Sequence, residues 1–478
     1  MKRAVASILG LSLLAAASPS VAADYPTDLW KMWVEKSTNR CPGKTWRMYA
    51  TPEEAGWSSE RLQQAKKHFD SIGSAALLVV HDGAVVVAWG DVTRRYMCHS
   101  VRKSLLSALV GIHVARGTLD LNKTLAVLGI DDDPPLTDAE KRARVLDLLR
   151  SRSGVYHSAA YETREMKLDR PARGTYEPGE RFWYNNWDFN ALGTIFEQET
   201  GTKIFEEFGR QFADALAMED YRVDDGYYHL EQRHSIHPAY PFRMSARDMA
   251  RLGLLYLREG QWRDRQILPR QWIRDSFVSH LTGSNVTRYP DYGYGYLWWP
   301  VVSQPLAALK MYSARGYGGH SIDVLPGANT VFVHRVNTFG DTAFPLKMHI
   351  VSDPDRLRLI DLVLRARVAP PKDDPQLVPL PVSRERADIV KLDPDTLSKY
   401  VGHYAFNKFE FSIKRSGSDL MLESPKIGRF LLQPTSETRF MIEDVELPVR
   451  FELDDKGNPT RLIAESVLGK PVKGQYVR

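Results

Sequence analysis

Ser100 and Lys103 stand three residues apart at the head of an apolar run, SVRKSLLSALVGIHVARG, and no other Ser-x-x-Lys occurs in the chain. A serine hydroxyl becomes a nucleophile when a neighbouring neutral amine takes its proton, and this spacing suits that pairing. Val101, Leu105, Ala108, Leu109 and Ile112 recur at three- and four-residue steps and Gly117 follows them, which predicts a helix. Positions three apart on a helix face lie roughly 5–6 Å apart at Cβ, so a lysine amine can reach the serine. An ordinary N-cap would also account for a serine at this place. Arg102 and Lys103, however, put two cations into a first turn where the helix dipole disfavours positive charge. The same field favours the neutral lysine that nucleophile activation needs.

A second stretch, Phe182-Trp183-Tyr184-Asn185-Asn186-Trp187, holds the only Tyr-x-Asn of the chain. In extended backbone, residues two apart project to one side, so Tyr184 and Asn186 would offer a phenol and an amide to one pocket. An aromatic loop packed under the following helical pattern, FNALGTIFEQETG, would explain the same residues without chemistry. The third stretch, Ser313-Ala314-Arg315-Gly316-Tyr317-Gly318-Gly319-His320, precedes the alternating run SIDVLPGANTVFVHRV. Its glycines read as a strand end where a substrate backbone could approach, or as a tight turn joining two strands. No helix follows it, so a dinucleotide-binding reading fails.

With these three stretches in this order, the chain resembles the serine β-lactamase and penicillin-binding-protein superfamily over roughly residues 50–365. It is most similar to the class C-like hydrolases, which include esterases, D-amino-acid peptidases and 6-aminohexanoate-dimer hydrolase. The resemblance implies Ser100 as nucleophile, Lys103 as the amine sharing its proton, and Tyr184 as the phenol that moves protons in acylation and deacylation. It implies that Asn186 orients Lys103 and the substrate, that Arg315, Gly316, Tyr317 and His320 line the substrate site, and that the Ser100 and Tyr317 N–H groups hold the oxyanion. Where β-lactamases and transpeptidases carry Lys-Thr-Gly or His-x-Gly, this chain has Ala314-Arg315-Gly316. The lysine that meets a carboxylate is missing, which favours the ester and amide hydrolases over a β-lactamase or D-amino-acid peptidase unless Arg315 substitutes. A non-catalytic penicillin-recognising protein is the third reading. No Gly-x-Ser-x-Gly elbow occurs to suggest another hydrolase type.

The expected fold is α+β: an antiparallel sheet flanked by helices, a helical region, and a small C-terminal barrel. Residues 75–90 read as a hairpin around His81-Asp82-Gly83. Ser245 opens an amphipathic helix through Tyr256, with Asp248 at the capping-box position. Residues 1–23 carry Lys2, Arg3, an apolar run and a small-residue Ser-Pro-Ser-Val-Ala-Ala, the pattern of a signal peptide, so residues 24–368 form the expected hydrolase domain of a periplasmic or secreted protein. Residues 369–395, rich in proline and charge, read as a linker. Residues 396–478, with short alternating runs, read as a barrel or sandwich and look like the lipocalin-like module of some β-lactamase-related hydrolases.

Composition bounds the rest. The 478 residues are 43% hydrophobic and 26% charged with a formal charge of +5, ordinary globular values that give no case for nucleic acid. The run at residues 4–18 is too short and alanine-rich for a membrane span. The two cysteines, Cys41 and Cys98, permit one disulfide or two buried thiols. His229, His234 and His237 lack metal-ligand spacing, so neither a metal nor a cofactor is expected, and the partner is a small-molecule ester or amide.

Overall fold

The computed structural model describes residues 37–281, 289–338, 349–381, 389–406, 409–416, 419–424, 428–442, 447–464 and 472–477. The leader read at residues 1–23 lies outside them. The central sheet draws on both ends of the first domain. Its strands are β1 (Arg47–Tyr49), β2 (Ala76–His81), β3 (Ala84–Gly90), β8 (Trp299–Pro300), β9 (Tyr312–Gly316), β10 (His320–Leu325), β11 (Thr330–Arg335) and β12 (Leu377–Pro379). Two-stranded ladders of β4 (Tyr96–Met97) with β5 (Arg243–Met244), and of β6 (Gln261–Trp262) with β7 (Arg265–Gln266), stand apart from it. The sheet order is β12-β1-β3-β2-β11-β10-β9-β8, antiparallel except where β1 meets β3.

The hairpin predicted over 75–90 forms as β2 and β3, with positive φ at Asp82 and Gly83 as a two-residue turn requires. Both faces of the sheet are covered, and the period-two alternation of β10 shows how. Ile322 lies against Gly253 of helix α4 (Ala246–Leu257), while Ser321 and Asp323 turn to Arg356 of helix α5 (Asp353–Arg365). Helix α1 (Ser59–Ser71) packs beside α5 and sets Phe69 edge-on to Trp89 of β3. The Ser100 helix, α2 (Val101–Ala115), is buried along nearly its whole length, and helix α3 (Asn186–Thr200) packs beside it. Such burial explains why α2 is largely apolar beyond its first two turns, with no exposed polar face.

Two readings from sequence are corrected here. Ser245 does cap α4 by accepting from the Asp248 N–H, but the Asp248 carboxylate leaves the capping box and accepts from Glu219 and Asp220 N–H groups at 2.7 and 2.9 Å. Within the stretch read as linker, Leu377–Pro379 is an edge strand paired with β1, a place where proline does little harm.

Beyond it the chain closes an eight-stranded antiparallel barrel, which settles the choice between barrel and sandwich. The strands are β13 (Gly402–Phe406), β14 (Phe409–Ser416), β15 (Asp419–Ser424), β16 (Gly428–Pro434), β17 (Arg439–Ile442), β18 (Leu447–Leu453), β19 (Pro459–Ala464) and β20 (Val472–Val477). Each pairs with the next, and β20 returns to β13. Tyr400, Tyr404, Phe411, Phe430, Phe440 and Phe451 are buried together in a core separate from that of the first domain.

Cys41 and Cys98 are both free thiols, Cys98 buried with its pKa pushed up to about 11. Burial is the chief cause, against the nearby Arg335 charge. Among the described residues no helix is long and apolar enough to cross a membrane.

Candidate active site

The chain enters α2 under constraint. Cys98 N–H donates to the Phe242 carbonyl at the end of the β4–β5 ladder, and His99 then takes a positive φ of 48°. A non-glycine residue held there, one position before Ser100, is backbone strain. His99 is fixed by Thr338 Oγ1, 2.9 Å from its Nε2, and by the His320 ring at 5.1 Å. Further along α2, Ser104 and Ser107 donate to the Leu297 and Tyr296 carbonyls at 2.6 and 2.7 Å, tying the buried helix to the segment before β8.

Ser100 occupies the N-cap position but caps nothing: its side chain accepts no backbone N–H. Instead Lys103 Nζ lies 2.7 Å from Ser100 Oγ and 2.8 Å from the Tyr184 hydroxyl. The amine also sits 4.6 Å from the centre of the Tyr184 ring and 4.7 Å from that of Phe189. Burial, with the charge of Arg102 beside it, holds the Lys103 pKa well below the ordinary lysine value. Burial likewise pushes the Tyr184 phenol well up, opposed by the Ser100 hydroxyl and by the Arg102 and Arg315 charges. A neutral amine between a hydroxyl and a protonated phenol can accept a proton from one side and exchange it with the other.

Tyr184 is placed by the strand-like segment before α3. Trp183 N–H donates to the Ser151 carbonyl and Asn185 N–H to Ser151 Oγ. Asn185, passed over in the sequence, caps α3 by accepting from Trp187 N–H at 3.0 Å. Asn186, read as orienting Lys103, does not reach it: its amide donates to the Tyr161 carbonyl at 2.6 Å, and its Oδ1 makes no hydrogen bond. The reason is helical: Asn186 is already the first residue of α3, so it does not project alongside Tyr184 as it would in extended backbone.

The third stretch comes to the same corner. The end of β9 lies against the turn before α2 so closely that a Cβ at Gly316 would fall 2.6 Å from the Cys98 carbonyl oxygen. That glycine therefore admits the protein's own backbone. Tyr317, exposed at the hairpin tip, sets its ring edge-on to His99. Among the described residues, neither the Ser100 nor the Tyr317 N–H donates to a backbone carbonyl in a turn, loop or cap. His320 is buried with neither ring nitrogen hydrogen-bonded, and burial drives its pKa far below the ordinary histidine value.

Arg315 is not free to meet a substrate carboxylate as a bare cation. It pairs with Asp353 at 2.8 Å and stacks 4.0 Å over the Tyr292 ring. Although burial opposes it, the Arg356 and Arg315 charges hold the Asp353 carboxyl at about 2. Asp353 begins a helix as Ser-Asp-Pro-Asp, which reads as a cap and carries no sign of this partnership. Beside Tyr184 opens a cleft of about 370 Å³, walled by Phe182, Trp183, Tyr184 and Tyr289 and faced by Met166 and Pro171. Among the described residues no cluster of His, Cys, Asp or Glu could hold a metal ion.

Among solved structures, the chain is similar to a Bacillus anthracis protein named as a candidate 6-aminohexanoate-dimer hydrolase, at 18% identity and a TM-score of 0.50, over 72% of this chain and 96% of that one. It is also similar to the octameric penicillin-binding protein homologue of Pyrococcus abyssi (17%, 0.47, covering 87% and 99%) and to SurE (16%, 0.47, covering 87% and 98%). At such identity the first likeness shows the fold alone. No curated protein matches the sequence. The sequence model of the Beta-lactamase family matches residues 61–351, from the start of α1 through all three stretches to the threshold of α5. That span is more than half of the chain, which therefore belongs to the Beta-lactamase family.

Proposed function

We propose that the protein is a serine hydrolase that cleaves an ester or amide through an acyl-enzyme on Ser100. Ser100 Oγ attacks the carbonyl carbon as Lys103 takes its proton. The Ser100 and Tyr317 N–H groups hold the oxyanion, and Tyr184 with Lys103 delivers the proton to the departing alkoxide or amine. Water then repeats the sequence, releasing the acid and restoring the Ser100 hydroxyl. The carrying observation is the contact of one amine with both the serine and the tyrosine, at 2.7 and 2.8 Å.

The Asp353–Arg315 pair supports substrates with no carboxylate on the leaving-group side of the scissile bond, and so favours simple esters and amides over β-lactams and D-alanyl peptides. The cleft beside Tyr184, lined by aromatic rings but also by Glu165, Asp169 and Arg181, supports a substrate with an apolar part and a polar one. We also read residues 1–23 as an export leader and residues 396–478 as an appended domain. Intact mass of the protein from the periplasm or medium checks the leader, with a mature start near Asp24 expected.

The deciding experiment is a panel of p-nitrophenyl esters, cephalosporins and D-amino-acid amides with intact-mass detection of the acylated protein. Ester turnover with one acyl group on Ser100, absent in Ser100→Ala, is expected. Hydrolysis of cephalosporins or D-amino-acid amides in preference to esters would replace the ester and amide reading with that of a β-lactamase or peptidase. An inert Ser100 would leave a binding protein.

A further inference from the structure

Arg102 is buried, 4% exposed, yet no carboxylate meets it among the described residues. Its Nη2 donates to Asn190 Oδ1 at 2.9 Å, its Cζ lies 4.2 Å over the Tyr240 ring, and its Nη1 makes no hydrogen bond. An amide and a ring face fix a guanidinium in place without cancelling its charge. The equally buried Arg356 is treated otherwise, with Asp323 at 2.7 Å and Asp353 at 2.9 Å. Lys103, the next residue, is also without an anion among the described residues, lying against the Ser100 hydroxyl, the Tyr184 phenol and the Tyr184 and Phe189 rings.

The surroundings offer no compensating charge. From α3, Asp188 turns to Ser153 and Asn185, and burial keeps its carboxyl well above the carboxylate range. From the turn before α2, His99 is held at about 3 by burial and by Arg335 and Arg243, so it is uncharged near neutral pH. From β9, Arg315 acts on Tyr184 with its charge met by Asp353, and Tyr289 faces Tyr184 from the segment before β8. Two basic groups adjacent at a buried helix start, with no anion, cannot both stay charged, and a guanidinium does not yield its proton.

We propose that Arg102 is a positioning residue for the proton transfer: its uncancelled charge, anchored by Asn190 and Tyr240, keeps Lys103 in the free-amine form. This rests on the reading of Lys103 as the base for Ser100. Three variants separate charge from shape. Arg102→Gln removes the charge, Arg102→Lys puts there an amine that can itself lose its proton, and Asn190→Asp leaves Arg102 in place but gives it a carboxylate.

The readout is the Cε chemical shift of lysine-labelled protein against pH, with the Lys103 signal identified by its loss in Lys103→Arg, alongside the rate of Ser100 phosphonylation by a fluorophosphonate. Arg102→Gln and Asn190→Asp are expected to raise the Lys103 titration and the acid limb of the rate by about one pH unit, roughly tenfold in rate below the limb. Arg102→Lys, whose amine can share the loss of the proton, is expected to fall between the parent and Arg102→Gln. An unmoved Lys103 titration in folded Arg102→Gln or Asn190→Asp overturns the proposal, and Asn190→Asp decides alone if Arg102→Gln does not fold. Phosphonylation that persists in Ser100→Ala would instead overturn the hydrolase reading, and the chemical-shift titration would still judge Arg102.

Discussion

Lys103 is a side chain whose usefulness and cost have one origin. Burial favours the free amine, so the folded state binds its proton less tightly than the unfolded chain does. Stability on this account rises with pH up to the unfolded lysine value of about 10.4, and at neutral pH the residue weakens the fold. Lys103→Met is therefore expected to abolish turnover while raising the melting temperature, more at pH 6 than at pH 9, as thermal melts across that range would read. Activity has the matching sign: kcat/KM falls as pH drops through the Lys103 pKa and the amine protonates. Tyr184→Phe keeps the ring packing against Phe189 and Trp299 and loses only the hydroxyl. It should slow acylation by about 10²–10⁴ with little change in melting temperature, the usual range for a lost proton-transfer group. That Ser100, Lys103 and Tyr184 meet was legible because each motif occurs once and its spacing has chemical meaning. Asn186 does not reach Lys103 because helix α3 starts three residues before the pattern suggested, and the Asp353 partner of Arg315 lies 38 positions downstream with nothing local to announce it.

Secondary-structure elements place these groups through close backbone approaches, and two glycines separate placement from packing. Gly316→Ala would drive the end of β9 against the Cys98 carbonyl, next to the Ser100 N–H. A loss of tenfold or more in Ser100 phosphonylation is expected with a cost of about 1–3 kcal/mol in urea unfolding. Gly253→Ala would push α4 off Val331 and Ile322 in the middle of the sheet, far in sequence from the reacting groups. A similar stability cost is expected there, but kcat/KM per folded molecule should be unchanged. The long elements could be read from sequence, since α2, β2, β3, β10 and β11 are apolar runs with clear boundaries. The two-residue ladder of β4 and β5, which delivers the chain to His99 and Ser100, could not: its partners stand about 150 residues apart and its hydrogen bonds leave no periodic trace.

The chain as a unit carries two cores and little shared interior. The barrel fills itself with its own aromatics, and its contacts to the first domain include Arg243 donating to the Arg429 carbonyl and Arg222 pairing with Asp419 at 3.7 Å. Phe451, 3% exposed in the barrel core, tests that independence. Phe451→Ala should cost roughly 3–5 kcal/mol in the barrel's own calorimetric transition, leaving the transition of the first domain and Ser100 labelling in place. A single transition that shifts as a whole would mean that the two cores unfold together.

Prolines sit in both outermost strands of the large sheet, Pro300 in β8 and Pro379 in β12, while the barrel closes on itself through β13 and β20. A proline has no amide hydrogen to offer an incoming strand, and a closed cylinder has no rim of unpaired amides along its staves. Templated growth of one copy upon another by added strands is thus discouraged at each sheet, so copies that do associate must meet through side chains on other faces.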